Sequence, residues 1–188
     1  MIRAFLSPLL LLASAACDAQ APAGGTQARP VAALEAPAAK PLPALTGRVV
    51  DNAGILTAQA EAALDARLAA LEKETTDQLV VVTVARLDGE PIGDLGLRLG
   101  NGWHIGQKES DNGVLLIVAP TDRQARIEVG LGLEGLLTDE RAERILKEQV
   151  IPECREGRCD RAVADGVAAI AKVLRSDPRR PRRRPGAE

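Results

Sequence analysis

Five oxygen-bearing side chains, Asp51, Asp111, Asn112, Glu134 and Asp139, stand in or beside glycine-containing loops and are the main candidate ligands in this 188-residue chain. Carboxylate and amide oxygens are hard donors, suited to calcium or magnesium and not to a soft metal. The same residue types also build Asx turns and helix caps, and composition alone does not choose between the two uses. Gly130, Gly132 and Gly135 have the spacing of a dinucleotide fingerprint. The segment before them closes a hairpin instead of opening a βαβ unit, and the next helix begins at Thr138, outside the motif. No strand with a ribose-binding acid follows about 20 residues on. These glycines are therefore expected to let backbone segments pack closely at the sheet edge.

Hydrolytic machinery is sparse. His104 is the sole histidine, it adjoins Trp103, and no Gly-x-Ser-x-Gly elbow is present, so His104 is expected to be structural. Metal-assisted phosphate ester hydrolysis stays open, with Asp111 and a bound cation activating water. Cys154 and Cys159 are close enough in sequence to pair, and a disulfide between them disfavours zinc.

The elements that would position these residues follow from hydrophobic periodicity. Residues 114–119 form a continuous apolar run between Gly113 and Pro120, which predicts a strand buried on both faces. From 123 to 130 the pattern alternates, with Ala125, Ile127 and Val129 on one side and Gln124, Arg126 and Glu128 on the other, so a half-exposed strand is predicted. The short Pro120-Thr121-Asp122 connection makes the two an antiparallel hairpin and places Asp111 and Asp139 at one end of the sheet. Upstream, 47–56 reads as a brief extended lead-in to a turn, and Thr57 caps a helix with Leu64, Leu68 and Leu71 on one face. A β-branched strand covers 78–84. Pro91 opens a helix with Ile92, Leu95, Leu99 and Trp103 on one face, but Gly93, Gly96, Gly100 and Gly102 each cost it about 1 kcal/mol relative to Ala, so it must survive by packing. Thr138 caps a further helix with Asp139 and Glu140 in its first turn, and a last helix from about 160 aligns Val163, Val167, Ile170 and Leu174. Strands alternating with helices and a late hairpin predict an α/β fold, a mixed sheet of about four strands covered by helices on both faces. If the 48–50 segment is a regular parallel strand, Asp51 ends opposite Asp111; as a lead-in outside the sheet it reaches the same end.

Outside the domain, expected over 46–174, the chain changes character. Residues 1–16 carry Arg3, an apolar run through Leu12 and small residues before Cys17, the pattern of an export signal too short to span a bilayer permanently. Two processing routes compete, ordinary cleavage after Ala15 and lipidation of Cys17. Pairing Cys154 with Cys159 leaves one thiol over and favours lipidation, although Ser14 stands where a lipobox commonly has Leu. Asp18 resembles the signal that retains a lipoprotein in a bacterial inner membrane, on the periplasmic side. Residues 17–45 are Ala- and Pro-rich, without period, and are read as a tether. Residues 175–188 carry six Arg against two acids, a net +4 that leaves −6 on the rest of a chain of net charge −2. This Arg/Pro-rich tail, read as disordered, is a candidate contact for anionic lipid. Export and the lack of stacking aromatics argue against a nucleic-acid partner.

Six blocks in series carry a family resemblance. They are Val49-Val50-Asp51-Asn52-Ala53-Gly54-Ile55-Leu56; Gln78-Leu79-Val80-Val81-Val82-Thr83-Val84; Trp103-His104-Ile105-Gly106-Gln107-Lys108; Asp111-Asn112-Gly113-Val114-Leu115-Leu116; Ile127-Glu128-Val129-Gly130-Leu131-Gly132-Leu133-Glu134-Gly135; and Leu137-Thr138-Asp139. Together they resemble the TPM domain over about 46–174. The resemblance implies a three-layer α/β/α sandwich on the non-cytoplasmic side of a membrane. It also implies divalent-cation binding, calcium in some members, and so turns the five oxygen donors toward a ligand reading. Family members include thylakoid-lumen proteins implicated in photosystem II repair, some with acid phosphatase activity, and bacterial proteins of unknown role. The implied function is a membrane-tethered assembly, quality-control or repair factor with a membrane-protein partner, or alternatively a metal-dependent acid phosphatase. Leu131 departs from the family's frequent Tyr, and His104 from a small or polar residue.

Overall fold

A computed structural model describes residues 41–179. The export signal, Cys17, residues 18–40 of the tether and residues 180–188 of the Arg-rich tail lie outside the described residues. Among the described residues four strands form one sheet in the order β1-β2-β3-β4. These are β1 (Val49–Asp51), β2 (Gln78–Thr83), β3 (Gly113–Ala119) and β4 (Gln124–Val129). The first three are parallel neighbours, and β4 returns antiparallel to β3, pairing Val114 with Val129 and Ala119 with Gln124.

Side-chain alternation divides the core in two. Leu79, Val81, Val114, Leu116, Val118 and Ile127 face α1 (Ala58–Thr75), α3 (Asp139–Ile145) and α5 (Cys159–Arg175). Val80, Val82, Leu115, Ile117 and Ala119 face α2 (Ile92–Trp103), which carries Leu95 and Leu99. The result is the expected three-layer α/β/α sandwich. Strand order advances in one direction while α1 and α2 cover opposite faces, so the two βαβ crossovers have opposite hands. One of them is therefore of the rare left-handed kind, a feature no local pattern in the chain announces.

Local chemistry accounts for the element ends. Thr57 caps α1 by accepting from Ala60 N at 3.1 Å, and Thr138 caps α3 by accepting from Arg141 N at 3.4 Å. After α3 the helix widens into a π turn over Leu146–Val150 before α4 (Ile151–Arg155); Pro152, which has no N–H to donate, falls just beyond it. The weak helix α2 survives as packing required. Gly96 leaves the space that the Glu128 side chain occupies, and Gly93 lies 3.7 Å, measured from where a Cβ would stand, from the Arg126 guanidinium. β4 is the expected half-exposed strand: Gln124 and Arg126 are exposed, and Glu128, beside Gly96 of α2, is the polar residue that α2 covers, its side chain 18% exposed.

Residues just outside 46–174 also pack on the domain. Leu42 packs beside Trp103 and against Gly102, and Pro43 O accepts from Trp103 Nε1 at 3.0 Å. At the other end Asp177 is buried, and Arg175 bonds Glu74 at 2.8 Å.

Candidate functional site

The N-terminal ends of β1, β2 and β3 share one end of the sheet with the C-terminal end of β4. Three loops meet there, and a buried amide holds them. Asn112 is 5% exposed. Its Oδ1 accepts from Gln107 N at 2.8 Å, and its Nδ2 donates to Thr76 O at 2.8 Å and to Asp77 Oδ1 at 3.5 Å. Its carbonyl accepts from Gln78 N at 3.0 Å. Gln78 adds a second tie, its Oε1 accepting from Gly106 N at 2.8 Å. An unpaired buried polar group is costly, so this exchange fixes the backbone on either side of Asp111. Asp111 itself adopts φ +42, in the left-handed region, with N–H to Gln107 O at 2.8 Å.

The glycine-rich loop after β4 is laid directly on that turn. Gly130 N donates to Gly113 O at 2.8 Å and Gly132 N to Asp111 O at 3.1 Å. A Cβ on Gly130 would stand 2.1 Å from Asp111 O, and one on Gly132 1.8 Å from Ser110 O. Backbone occupies the room a pyrophosphate would need, which agrees with close packing and not with a dinucleotide fingerprint.

The five candidate ligands do not gather. Asp51 is the clearest departure. β1 is a regular parallel strand whose Asp51 pairs with Thr83, at the end of the sheet opposite Asp111. There its carboxylate accepts from Leu56 N at 2.8 Å, Ile55 N at 3.3 Å and the Thr83 hydroxyl, closing the turn through Gly54. Asn112 serves the loop clamp. Asp139 is exposed at the start of α3 and lies within electrostatic reach of Arg126, midway along β4. The hydrogen bond to Glu128 holds the Arg126 guanidinium above its ordinary range, against partial burial, and the charges of Glu128 and Asp139 add to it. Asp111 and Glu134 remain at the clamped end, both exposed. Among the described residues no three His, Cys, Asp or Glu side chains converge as metal ligands.

His104 ends α2 at φ +50, ψ +47, exposed, in a helix-terminating role. Cys154 and Cys159 are joined in a disulfide across the α4–α5 turn. Sequence reasoning missed Asp77, 2% exposed beneath the clamp, and the Asp177–Arg179 pair. Arg179 donates to both Asp177 oxygens and reaches Gly132 O at 3.3 Å. The hydrogen bond to Asp177, followed by its charge, raises the Arg179 guanidinium above its ordinary range. The only sequence hint for Asp77 is its place just ahead of the apolar run Leu79–Val82.

A mixed four-stranded α/β sandwich with a DNG turn clamped under a glycine-rich loop defines the class of domain. The TPM domain family model matches residues 49–173, and the chain belongs to that family. A solution NMR structure of the N-terminal domain of a P. gingivalis protein is 34% identical with TM-score 0.64, covering 69% of this chain and 82% of that one. The BA42 protein of the psychrophilic bacterium Bizionia argentinensis is 20% identical with TM-score 0.55, covering 63% and 81%. The N-terminal domain of a Corynebacterium glutamicum protein is 15% identical with TM-score 0.53, covering 71% and 84%; these last two show the fold alone. No curated protein matches the chain significantly.

Proposed function

We propose that this chain is an exported, membrane-tethered TPM-domain protein that binds a divalent cation, calcium, at the clamped end of its sheet, and serves as an assembly, quality-control or repair factor for membrane complexes. Cys17 carries the lipid anchor, the domain stands on the periplasmic side of the inner membrane, and the partner is a membrane protein. The observation that carries the cation reading is the rigid backbone beneath Asp111. A buried amide and a glycine backbone fix its turn while its carboxylate and that of Glu134 stay exposed. Calcium accepts six to eight oxygens, including backbone carbonyls and water, so two carboxylates on fixed loops are a sufficient protein contribution at modest affinity. Asp51 and Asp139 are left out of this narrowed site.

No described residue is set as a nucleophile or general base, which favours binding over hydrolysis. Calcium titration of residues 41–188 by calorimetry, beside a phosphomonoesterase assay of wild type and Asp111→Ala, tests both. Binding lost in Asp111→Ala with no turnover supports the proposal. Calcium-dependent turnover lost in Asp111→Ala would replace it with a phosphatase, and absence of calcium binding would remove the site.

A further inference from the structure

β4 is the last strand of the sheet, and among the described residues no strand pairs with its outer side. The ladder with β3 decides which backbone groups face that side. Gly130 N donates to Gly113 O, and the register that pairs Val114 with Val129 makes Gly113 and Gly130 opposite residues. Hydrogen-bonded and non-hydrogen-bonded pairs alternate along an antiparallel ladder, so Gln124, Arg126 and Glu128 also turn their N–H and C=O groups toward β3. Those of Ala125, Ile127 and Val129 point outward, and none bonds another described residue. An open row of this kind is a template for a further strand.

The side chains along this edge are self-complementary. An antiparallel copy of β4, set about a two-fold axis at Ile127, places Ala125 opposite Val129, Ile127 opposite Ile127 and Arg126 opposite Glu128 of the second copy. The outward residues then form the hydrogen-bonded pairs of the new ladder, each exchanging both bonds. Arg126 and Glu128 already bond each other within the chain, so pairing closes a ring of alternating charge. Moving the axis by one residue sets Arg126 against Arg126, or Glu128 against Glu128, and like charges directly opposite are unfavourable. Charge therefore selects the register centred on Ile127. The helix beside the edge agrees. α2 lies along the same face of β4, with Gly93 against Arg126 and Gly96 against Glu128. Leu97, one residue after Gly96 and four after Gly93, is carried on that flank and is 58% exposed. A two-fold axis perpendicular to the sheet keeps both α2 helices on one face and turns each Leu97 toward the other helix.

We infer that β4 is a self-association edge, at which two copies of this chain pair their β4 strands antiparallel about Ile127 and join two four-stranded sheets into one. This goes beyond the cation and tether readings and needs neither. One short strand and one leucine from each copy make a small interface, at the low end of the range for specific association, so the dimer is a weak one.

Both core clusters lie within residues 42–174, and the P. gingivalis relative was solved as a separate domain, so residues 41–188 are the unit to test. Sedimentation velocity from about 10 µM to about 1 mM should show a monomer–dimer equilibrium. Ala125→Pro removes an outward N–H and leaves the β3 ladder intact. Arg126→Glu, at an exposed position, sets two carboxylates opposite each other at both symmetry-related places. Each should weaken self-association about tenfold with the circular dichroism of the monomer unchanged; where Pro disturbs folding, Arg126→Glu carries the comparison. The register has its own test. With Cys154 and Cys159 bonded, Arg126→Cys and Glu128→Cys each hold one free thiol in this unit. Opposite residues of a non-hydrogen-bonded pair stand about 4.5 Å apart at Cα, within disulfide reach, whereas identical positions stand on the diagonal at about 8 Å. Under mild oxidation the two variants mixed should cross-link faster than either alone.

A monomer across the whole concentration range would overturn the inference. So would a dimer that persists in both Ala125→Pro and Arg126→Glu, or cross-linking of the mixture no faster than that of the single variants.

Discussion

Replacing Gly132 by Ala is the sharpest perturbation of the clamped loops. The new Cβ would lie 1.8 Å from Ser110 O and 3.0 Å from Ser110 C, both backbone atoms that no rotamer change can move. Relief requires the two loops to part, which breaks the 3.1 Å bond from Gly132 N to Asp111 O and strains the 2.8 Å bond from Gly130 N to Gly113 O. One or two backbone hydrogen bonds at about 1 kcal/mol each, with about 1–3 kcal/mol of overpacking, give a loss of about 3–4 kcal/mol. For a domain of this size that lowers Tm by roughly 10–15 °C. Gly135→Ala is the internal control. Nothing lies within 4 Å of its Cβ position and its φ is not in the left-handed region, so its cost should be within about 0.5 kcal/mol of zero. Urea unfolding of the two variants beside wild type measures both. Equal effects, or a Gly132→Ala cost under about 1 kcal/mol, would refute the packing account of this motif.

Three further outcomes follow from the same geometry. Asn112→Ala strands Gln107 N and Thr76 O, and should cost about 2–4 kcal/mol in urea unfolding; Asp111→Asn, exposed at the next position, should leave stability nearly unchanged. Reduction of the Cys154–Cys159 bond, five residues apart in sequence, should lower stability by about 2 kcal/mol, and an unchanged midpoint in reductant would contradict a constraining role. His104→Gly should raise stability by about 0.5 kcal/mol, because the residue ends α2 in the left-handed region at φ +50, whereas His104→Ala should not.

The framework was readable wherever one residue type does one job. The apolar run at 114–119 and the alternation after Pro120 located the hairpin, because burial on two faces and on one face leave different patterns. Leu64, Leu68 and Leu71, with Thr57 ahead of them, located α1. The crossover hands, by contrast, depend on which sheet face each helix covers, and no local pattern records that choice. The candidate ligands fared worse for a related reason. Asp51 reads identically as a ligand and as an Asx-turn residue, and only its place in β1 shows the turn. The cover over Glu128 was hidden because the glycines of α2 look like weakness, whereas Gly93 and Gly96 leave room for the Arg126 and Glu128 side chains. Asp77 gave little sequence signal, since Asn112 reaches it from a loop 35 residues away, and Asp177 was hidden because its partner Arg179 stands in a stretch whose composition reads as a disordered tail.

The central claim is that a divalent cation binds at the clamped end, through Asp111. A ligand held only by the folded state stabilises it by mass action, by about 2.7 kcal/mol at one hundred times Kd, and so raises Tm. Thermal melting of residues 41–188 with millimolar calcium and with chelator should show a calcium-dependent rise in wild type. The rise should be lost in Asp111→Ala and reduced in Glu134→Ala. Asp51→Ala should melt lower in both conditions, for want of its turn bonds, yet keep the rise. No calcium effect on wild type, or a rise lost in Asp51→Ala and kept in Asp111→Ala, would contradict the account.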